Sequence, residues 1–193
     1  MDKDYDLNNA YDLIDEISKK AENDRTQKLL SKRLHSLIYY FENAVAQVRL
    51  EEENISGHVN FKNYSAKTHN KYRDLQSKII STGISAYGHM QACIQISKIL
   101  NTNGPKDLDE LFNKNSALLK DITNKRNKIE AHPEYNNHMV VSHHFWSTDG
   151  QIGFSVLNHD SPDNSEQIIN SPREDLEKLR LFLTLLFFEL ARP

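Results

Sequence analysis

A chain of 193 residues, 38% hydrophobic and 26% charged, is long enough for one domain with its own core, so we expect a single domain over 1–193. The net charge of −3 argues against a protein that coats nucleic acid, and the single cysteine, Cys93, excludes an intrachain disulfide and fits a reducing compartment. Because the N-terminus lacks an apolar signal sequence and the most apolar stretch (179–190) is too short to span a bilayer, we expect a cytoplasmic protein with no membrane partner.

Apolar residues at helical spacing predict three helices in the first hundred residues. The first covers about 7–21, and two long helices follow at about 25–53 and 65–100. We expect the long helices to pack antiparallel, joined by a loop that contains Gly57. The polar segment 101–105, with its glycine and proline, ends the third helix.

A short helix is predicted at about 107–112, followed by a motif helix that begins near Asn115 or Ser116. The motif helix turns Leu118, Leu119 and Ile122 inward and then reaches the sequence Arg-Asn-Lys-Ile-Glu-Ala-His at 126–132. Proline follows at 133 and disfavours helical geometry at the residue before it, so the helix is expected to end there.

After the proline the apolar pattern changes to a period of two. Residues 139–146 and 151–157 flank Asp149-Gly150, which predicts a β-hairpin over about 139–157. A two-residue loop pairs Phe145 with Phe154 and His143 with Val156, and both phenylalanines are expected to pack against helices. The segment 158–170 is predicted to be a polar loop.

The last helix opens with Ser171-Pro172-Arg173-Glu174, a capping box with proline at the first helical position. From 176 to 190 it is apolar almost all round, so we expect it to be central or shared with a partner. The predicted fold class is mainly α: a helical bundle with two long antiparallel helices, and a β-hairpin inserted between the motif helix and the C-terminal helix.

The motif at 126–132 gathers the side chains most capable of chemistry. Arg126 is a permanent cation whose planar fork matches phosphate oxygens, Asn127 offers a donor and an acceptor, and His132 exchanges a proton near neutral pH. A phosphodiester is a suitable substrate for this set. Five cations against two carboxylates in 114–130 surround it, whereas 1–24 hold eight carboxylates against three lysines. The candidate substrate-binding cations are Lys120, Lys125 and Lys128; a solvated helix face is the alternative.

An arginine and a polar residue, followed a few positions later by a histidine near a helix end, resemble the motif of the HEPN family. The resemblance implies a helical bundle, usually dimeric, with the motif at the dimer cleft. It also implies a metal-independent ribonuclease, often a toxin or defence protein, with RNA as substrate and an antitoxin or other protein as partner. Carried over, Arg126 and His132 are the catalytic pair and Asn127 is the supporting polar residue.

Geometry favours a homodimer for this motif. Six helical steps turn about 600°, so Arg126 and His132 do not share a face of one ideal helix. Two chains around a two-fold axis would pool both pairs in one cleft. The expected reaction is attack of an RNA 2′-hydroxyl on the adjacent phosphorus, with proton transfer by His132 and charge stabilisation by Arg126.

Two alternatives remain. Arg126 could form an ion pair with Glu130 while His132 caps the helix end, which would make the motif purely structural. The chain could also be a non-catalytic helical module that binds a nucleotide, an RNA or a protein partner. No cofactor and no metal are predicted, because the spacing of the histidines at 138, 143 and 144 is too loose for a metal site.

Overall fold

The computed structural model describes residues 7–20, 24–56, 69–127, 134–135, 138–146, 151–158 and 161–192, and for the strands it describes the backbone alone. The described part is mainly α, as predicted. It has five helices and four strands, with the bounds α1 Asn8–Lys20, α2 Arg25–Ser56, α3 His69–Asn103, α4 Asp109–Arg126, β1 Glu134–Tyr135, β2 His138–Trp146, β3 Gln151–Asn158, β4 Ser161–Asn170 and α5 Pro172–Ala191.

The long helices α2 and α3 pack antiparallel, as predicted. The Arg33 guanidinium donates to the carbonyl oxygen of Asn103 at 3.3 Å, near one end of the pair. Toward the other end, the centroids of the Tyr40 and His89 rings lie 6.0 Å apart. The facing stripes are fully or almost fully buried, and their largest members are Leu34, Leu37, Phe41, Tyr87, Met90 and Ile94. Burial of these stripes supplies most of the apolar core that holds the pair together.

Helix α5 packs its apolar face onto this core. Leu176, Leu179, Leu183 and Leu186 are fully buried, and Phe182 meets the α4 ring of Phe112 edge to face at 5.4 Å between centroids. The predicted start of the helix is confirmed: the Ser171 hydroxyl accepts from the backbone N–H of Glu174 at 3.4 Å, and Pro172 occupies the first turn. This capping satisfies one of the donors that a helix N-terminus leaves unpaired.

The predicted short helix at 107–112 and the separate start of the motif helix near 115 are wrong, because α4 is one continuous helix from Asp109. Asn115 and Ser116 do not act as helix caps. Their side chains donate to the carbonyl oxygens of Leu111 and Asn113, bonds that short polar residues make inside a helix. The helix starts earlier, where Asp107 accepts from the backbone N–H of Asp109 at 2.9 Å.

The β part of the predicted fold class is wrong, because the described backbone forms a four-stranded sheet instead of the predicted two-stranded hairpin. Four antiparallel strands lie in the order β1-β2-β3-β4, and β4 covers the segment predicted as a polar loop. An edge strand tolerates polar residues and a proline, which is why the composition of 161–170 looked like a loop.

The predicted register between the hairpin strands is also wrong. Phe145 pairs with Ile152 and His143 with Phe154, two positions away from the predicted partners. Trp146 pairs with Gln151, so four residues separate the strands instead of two, and a register shift follows Val140. The predicted packing of the two phenylalanines against helices concerns side chains outside the described part and stays a prediction.

Among the described residues, none of the helices combines the length and the apolar character needed to cross a membrane.

Gly104 directly follows the last residue of α3, and a substitution there tests how this helix ends. A Cβ atom at this position would clash with the carbonyl oxygen of Leu100, a residue that is fully buried. The backbone at the end of α3 must therefore move in Gly104→Ala, and we expect a loss of about 1–3 kcal/mol in the free energy of unfolding, measured by urea denaturation. The neighbouring variant Asn103→Ala is the control and should change stability by less than about 0.5 kcal/mol. Equal stability of the two variants would contradict the expectation.

Candidate functional site

The last turn of α4 is fixed to the bundle through one face. Leu119 and Ile122 are buried, and the Thr123 hydroxyl donates to the side-chain oxygen of Gln91 on α3 at 2.8 Å. Arg126 lies four residues after Ile122 and three after Thr123, so it belongs to the same face of the helix. Its side chain is half-buried, at the edge of the core.

Asn127 continues the helical backbone beyond Arg126. Its φ of −65° and ψ of −39° are helical, and its N–H donates to the carbonyl oxygens of Thr123 and Asn124. Its side-chain oxygen accepts from the Nη1 atom of Arg126 at 3.1 Å. The contact orients one edge of the planar guanidinium at the end of the described part of the helix.

The second half of the motif lies outside the described residues. This applies to Lys128, Glu130 and His132. Whether His132 approaches Arg126, caps the helix or lies elsewhere stays a matter of prediction, as does the ion pair between Arg126 and Glu130. Two of the predicted catalytic residues, Arg126 and Asn127, lie in the described part of the chain, and their side chains are in contact.

The predicted substrate-binding lysines behave differently from one another. Lys120 is exposed, as a phosphate-binding side chain should be. Lys125 turns inward: its side chain is only 16% exposed, and its Nζ atom lies 2.8 Å from Asp121 Oδ2 and 2.7 Å from Asp175 Oδ2. Burial lowers the pKa of Lys125, but the hydrogen bonds to Asp121 and Asp175 outweigh it and raise the pKa above its ordinary value. Lys125 is a charged structural residue in this arrangement, already neutralised by carboxylates of its own chain.

One buried carboxylate joins three helices beside the motif. Asp175 on α5 has a side chain that is 3% exposed, and the same oxygen that meets Lys125 accepts from the Tyr87 hydroxyl of α3 at 2.6 Å. We call Tyr87, Lys125 and Asp175 the Asp175 cluster. Burial and the nearby negative charge of Asp175 raise the pKa of Tyr87 well above its usual range, so the phenol stays a donor.

Sequence reasoning missed this cluster. Asp175 follows the cap residue by four positions, which is where a first-turn acid normally favours the helix dipole from an exposed position. The available signal was the apolar environment: Leu176 and Leu179 follow it on the face that enters the core.

Glu51, near the end of α2, is a second buried acid. The residue is 2% exposed, and burial together with the neighbouring charge of Glu52 raises its pKa to about 8. When ionised, it also contributes to the raised pKa of Tyr87. At neutral pH Glu51 is therefore mainly protonated.

Cys93 offers no nucleophile. It is fully buried, its Sγ donates to the carbonyl oxygen of Leu37 at 3.6 Å, and burial raises the pKa of the thiol far above its ordinary value. Among the described side chains, no group of three or more His, Cys, Asp or Glu is placed to hold a metal ion.

The chain matches no protein-family model, no curated protein and no solved structure. Its resemblance to the HEPN family therefore depends on the motif at 126–132 and on the helical context.

The raised pKa of Glu51 predicts that the free energy of unfolding depends on pH. The folded state keeps a proton that the unfolded state releases near the ordinary value of 4.5. Stability should therefore fall as pH rises from about 4.5 to about 8, by up to about 1.4 kcal/mol per pH unit, and level off above that range. In Glu51→Gln this dependence should disappear. Urea unfolding between pH 5 and pH 8 measures it.

The control for that experiment is Glu16→Gln, which removes an exposed carboxylate of α1. It should follow the wild-type pH dependence. Parallel curves for wild type and Glu51→Gln would show that Glu51 is ionised in the folded protein and would contradict the prediction.

Proposed function

We propose that this chain is a metal-independent endoribonuclease of the HEPN type that works as a homodimer. The observation that carries the proposal is the contact between the Arg126 guanidinium and the Asn127 side-chain oxygen, at the end of a helix anchored in the bundle. An arginine held in this way has lost part of its conformational freedom before substrate arrives, which favours binding of a phosphate in one orientation. A toxin or defence role, with an antitoxin as partner, is what the HEPN resemblance adds.

The proposed reaction needs an RNA substrate and no cofactor. The 2′-oxygen attacks the adjacent phosphorus, the bond between phosphorus and the 5′-oxygen breaks, and the products are a 2′,3′-cyclic phosphate and a free 5′-hydroxyl. His132 would take the proton of the attacking hydroxyl, and a second acid, such as His132 of the other chain, would protonate the leaving oxygen. Arg126 would stabilise the charge that develops on the phosphoryl oxygens. DNA lacks the attacking hydroxyl.

An exposed apolar face on α5 supports the homodimer. Leu181 is 56% exposed, Leu185 48% and Phe188 56%, and their spacing of four and three residues puts them on one side of the helix. Large apolar side chains grouped in this way are typical of a surface that another protein covers. A second copy of this chain would bring the second motif that the proposed cleft requires.

A non-catalytic module that binds a protein partner is the second candidate, and the charge pairing near the motif favours it. Lys114 is bonded to Glu110 at 2.6 Å, and Lys125 is bonded to two carboxylates. These ion pairs reduce the positive potential that the sequence of 114–130 predicts around Arg126. In this candidate the α5 face would receive the partner and Arg126 would contact it.

Activity is the first test. Arg126→Ala and His132→Ala should each lower the rate of RNA cleavage by at least about 100-fold while the circular dichroism spectrum stays unchanged. The matched controls, Arg25→Ala and His35→Ala, remove exposed residues of α2 and should cleave like wild type. The assay is purified protein on a mixed RNA pool, with and without EDTA, with mass analysis of the product ends. Cleavage that persists in both motif variants, or that EDTA abolishes, would refute the mechanism.

The oligomeric state is the second test. Light scattering at micromolar concentration should give twice the 22.4 kDa chain mass. Leu181→Glu combined with Leu185→Glu should give the single-chain mass, because buried charges would oppose association. Leu29→Glu is the control, since it changes an equally exposed leucine on α2 and should leave the dimer intact. A monomeric wild type would count against the two-motif cleft.

A further inference from the structure

The Asp175 cluster connects three helices through a single oxygen atom. Oδ2 of Asp175 lies 2.6 Å from the Tyr87 hydroxyl and 2.7 Å from Lys125 Nζ. The donors come from α3 and α4, and the acceptor is in the first turn of α5, where the helix dipole also favours a negative charge. Both Lys125 and Asp175 are largely withdrawn from water, so solvent screens their attraction poorly.

Lys125 is the residue directly before Arg126, and this adjacency links the cluster to the motif. Consecutive residues of a helix differ by about 100° in direction, so a side chain fixed at 125 also sets the direction in which the side chain at 126 leaves the helix. The second bond of Lys125, to Asp121 one turn earlier, restrains the same turn.

We propose that Asp175 is a positioning residue for the end of α4: through Lys125 it sets the direction of Arg126 and Asn127. Its importance for catalysis rests on the proposed ribonuclease function, whereas its effect on the helix end can be measured without any activity. The role assigned to Lys125 changes accordingly, from a substrate-binding cation to the connection between Asp175 and the motif.

Tyr87 provides a matched comparison within the same cluster. It bonds to the same carboxylate oxygen, but from α3, and its removal leaves the pair between Lys125 and Asp175 in place. If Asp175 acted only as a general source of stability, Tyr87→Phe and Asp175→Asn would have effects of the same kind. If it positions the end of α4, only Asp175→Asn and Lys125→Met should loosen that end.

Amide hydrogen exchange measured by mass spectrometry tests the positioning directly. In Asp175→Asn, exchange of the peptide amides at 122–127 should accelerate by at least about tenfold, whereas the amides of α1 and α2 should keep their wild-type rates. Lys125→Met should reproduce the effect and serves if Asp175→Asn does not fold. Tyr87→Phe should leave 122–127 unchanged. Unchanged exchange at 122–127, or acceleration spread evenly over all helices, would overturn the proposal.

Cleavage kinetics test the catalytic consequence. Asp175→Asn and Lys125→Met should lower kcat by at least about tenfold with KM nearly unchanged, because a misdirected arginine affects the transition state more than ground-state binding. Asp175→Glu should restore part of kcat, and Tyr87→Phe should keep it. A raised KM with normal kcat in Lys125→Met would instead identify Lys125 as a substrate contact, and normal kcat in both variants would also reject the positioning role.

The two proposals can fail separately. If wild type cleaves no RNA in any pool but exchange at 122–127 responds as expected, the ribonuclease function falls and the positioning of the α4 end stands. If wild type cleaves RNA and Arg126→Ala does not, while Asp175→Asn keeps both kcat and wild-type exchange, the ribonuclease function stands and the positioning role falls.

Discussion

The buried carboxylate of Asp175 is the constraint on which the arrangement of α3, α4 and α5 depends. It carries a charge out of water and compensates for this with two short hydrogen bonds, one to a phenol and one to an ammonium group. Removing one partner of such a buried pair typically costs about 3–5 kcal/mol, because the remaining charge stays buried. Because both donors must reach the same oxygen atom, these two bonds restrain how α3, α4 and α5 lie relative to one another. The end of α4, which carries the motif, is part of that placement.

This constraint changes how charge is distributed around the motif. Lys125 is used by the fold, so the predicted phosphate-contacting residues that remain candidates in the described part of the chain are Arg126, Asn127 and the exposed Lys120. Three such residues bind a nucleic acid weakly, since the affinity grows with the number of phosphates that are neutralised. A homodimer would double the set, and the apolar face of α5 gives a reason for two chains to associate. The proposed catalysis therefore depends on the proposed dimer.

The local spacing of apolar residues and the cap sequence at 171–174 predict most of the helices correctly. The spacing of Leu34, Leu37 and Phe41 placed the buried stripe of α2, and the Ser171 cap placed the start of α5. The sequence pattern did not predict contacts between residues that are distant along the chain. Lys125 looks in sequence like any cation beside Arg126, and its partner Asp175 is fifty residues away. The strand register failed for a similar reason: Asp149-Gly150 suggested a two-residue loop, but pairing with β4 and the register shift after Val140 depend on the whole sheet.

A double-mutant cycle between Lys125 and Asp175, read by urea unfolding, tests the central constraint most directly. The variants are Lys125→Met, Asp175→Asn and their combination, and the coupling free energy is the difference between the sum of the two single losses and the loss in the double variant. A buried pair that joins α4 to α5 should give a coupling of at least about 2 kcal/mol, with the double variant more stable than the sum of the single losses predicts. A coupling below about 0.5 kcal/mol, the size found for exposed ion pairs, would contradict the account.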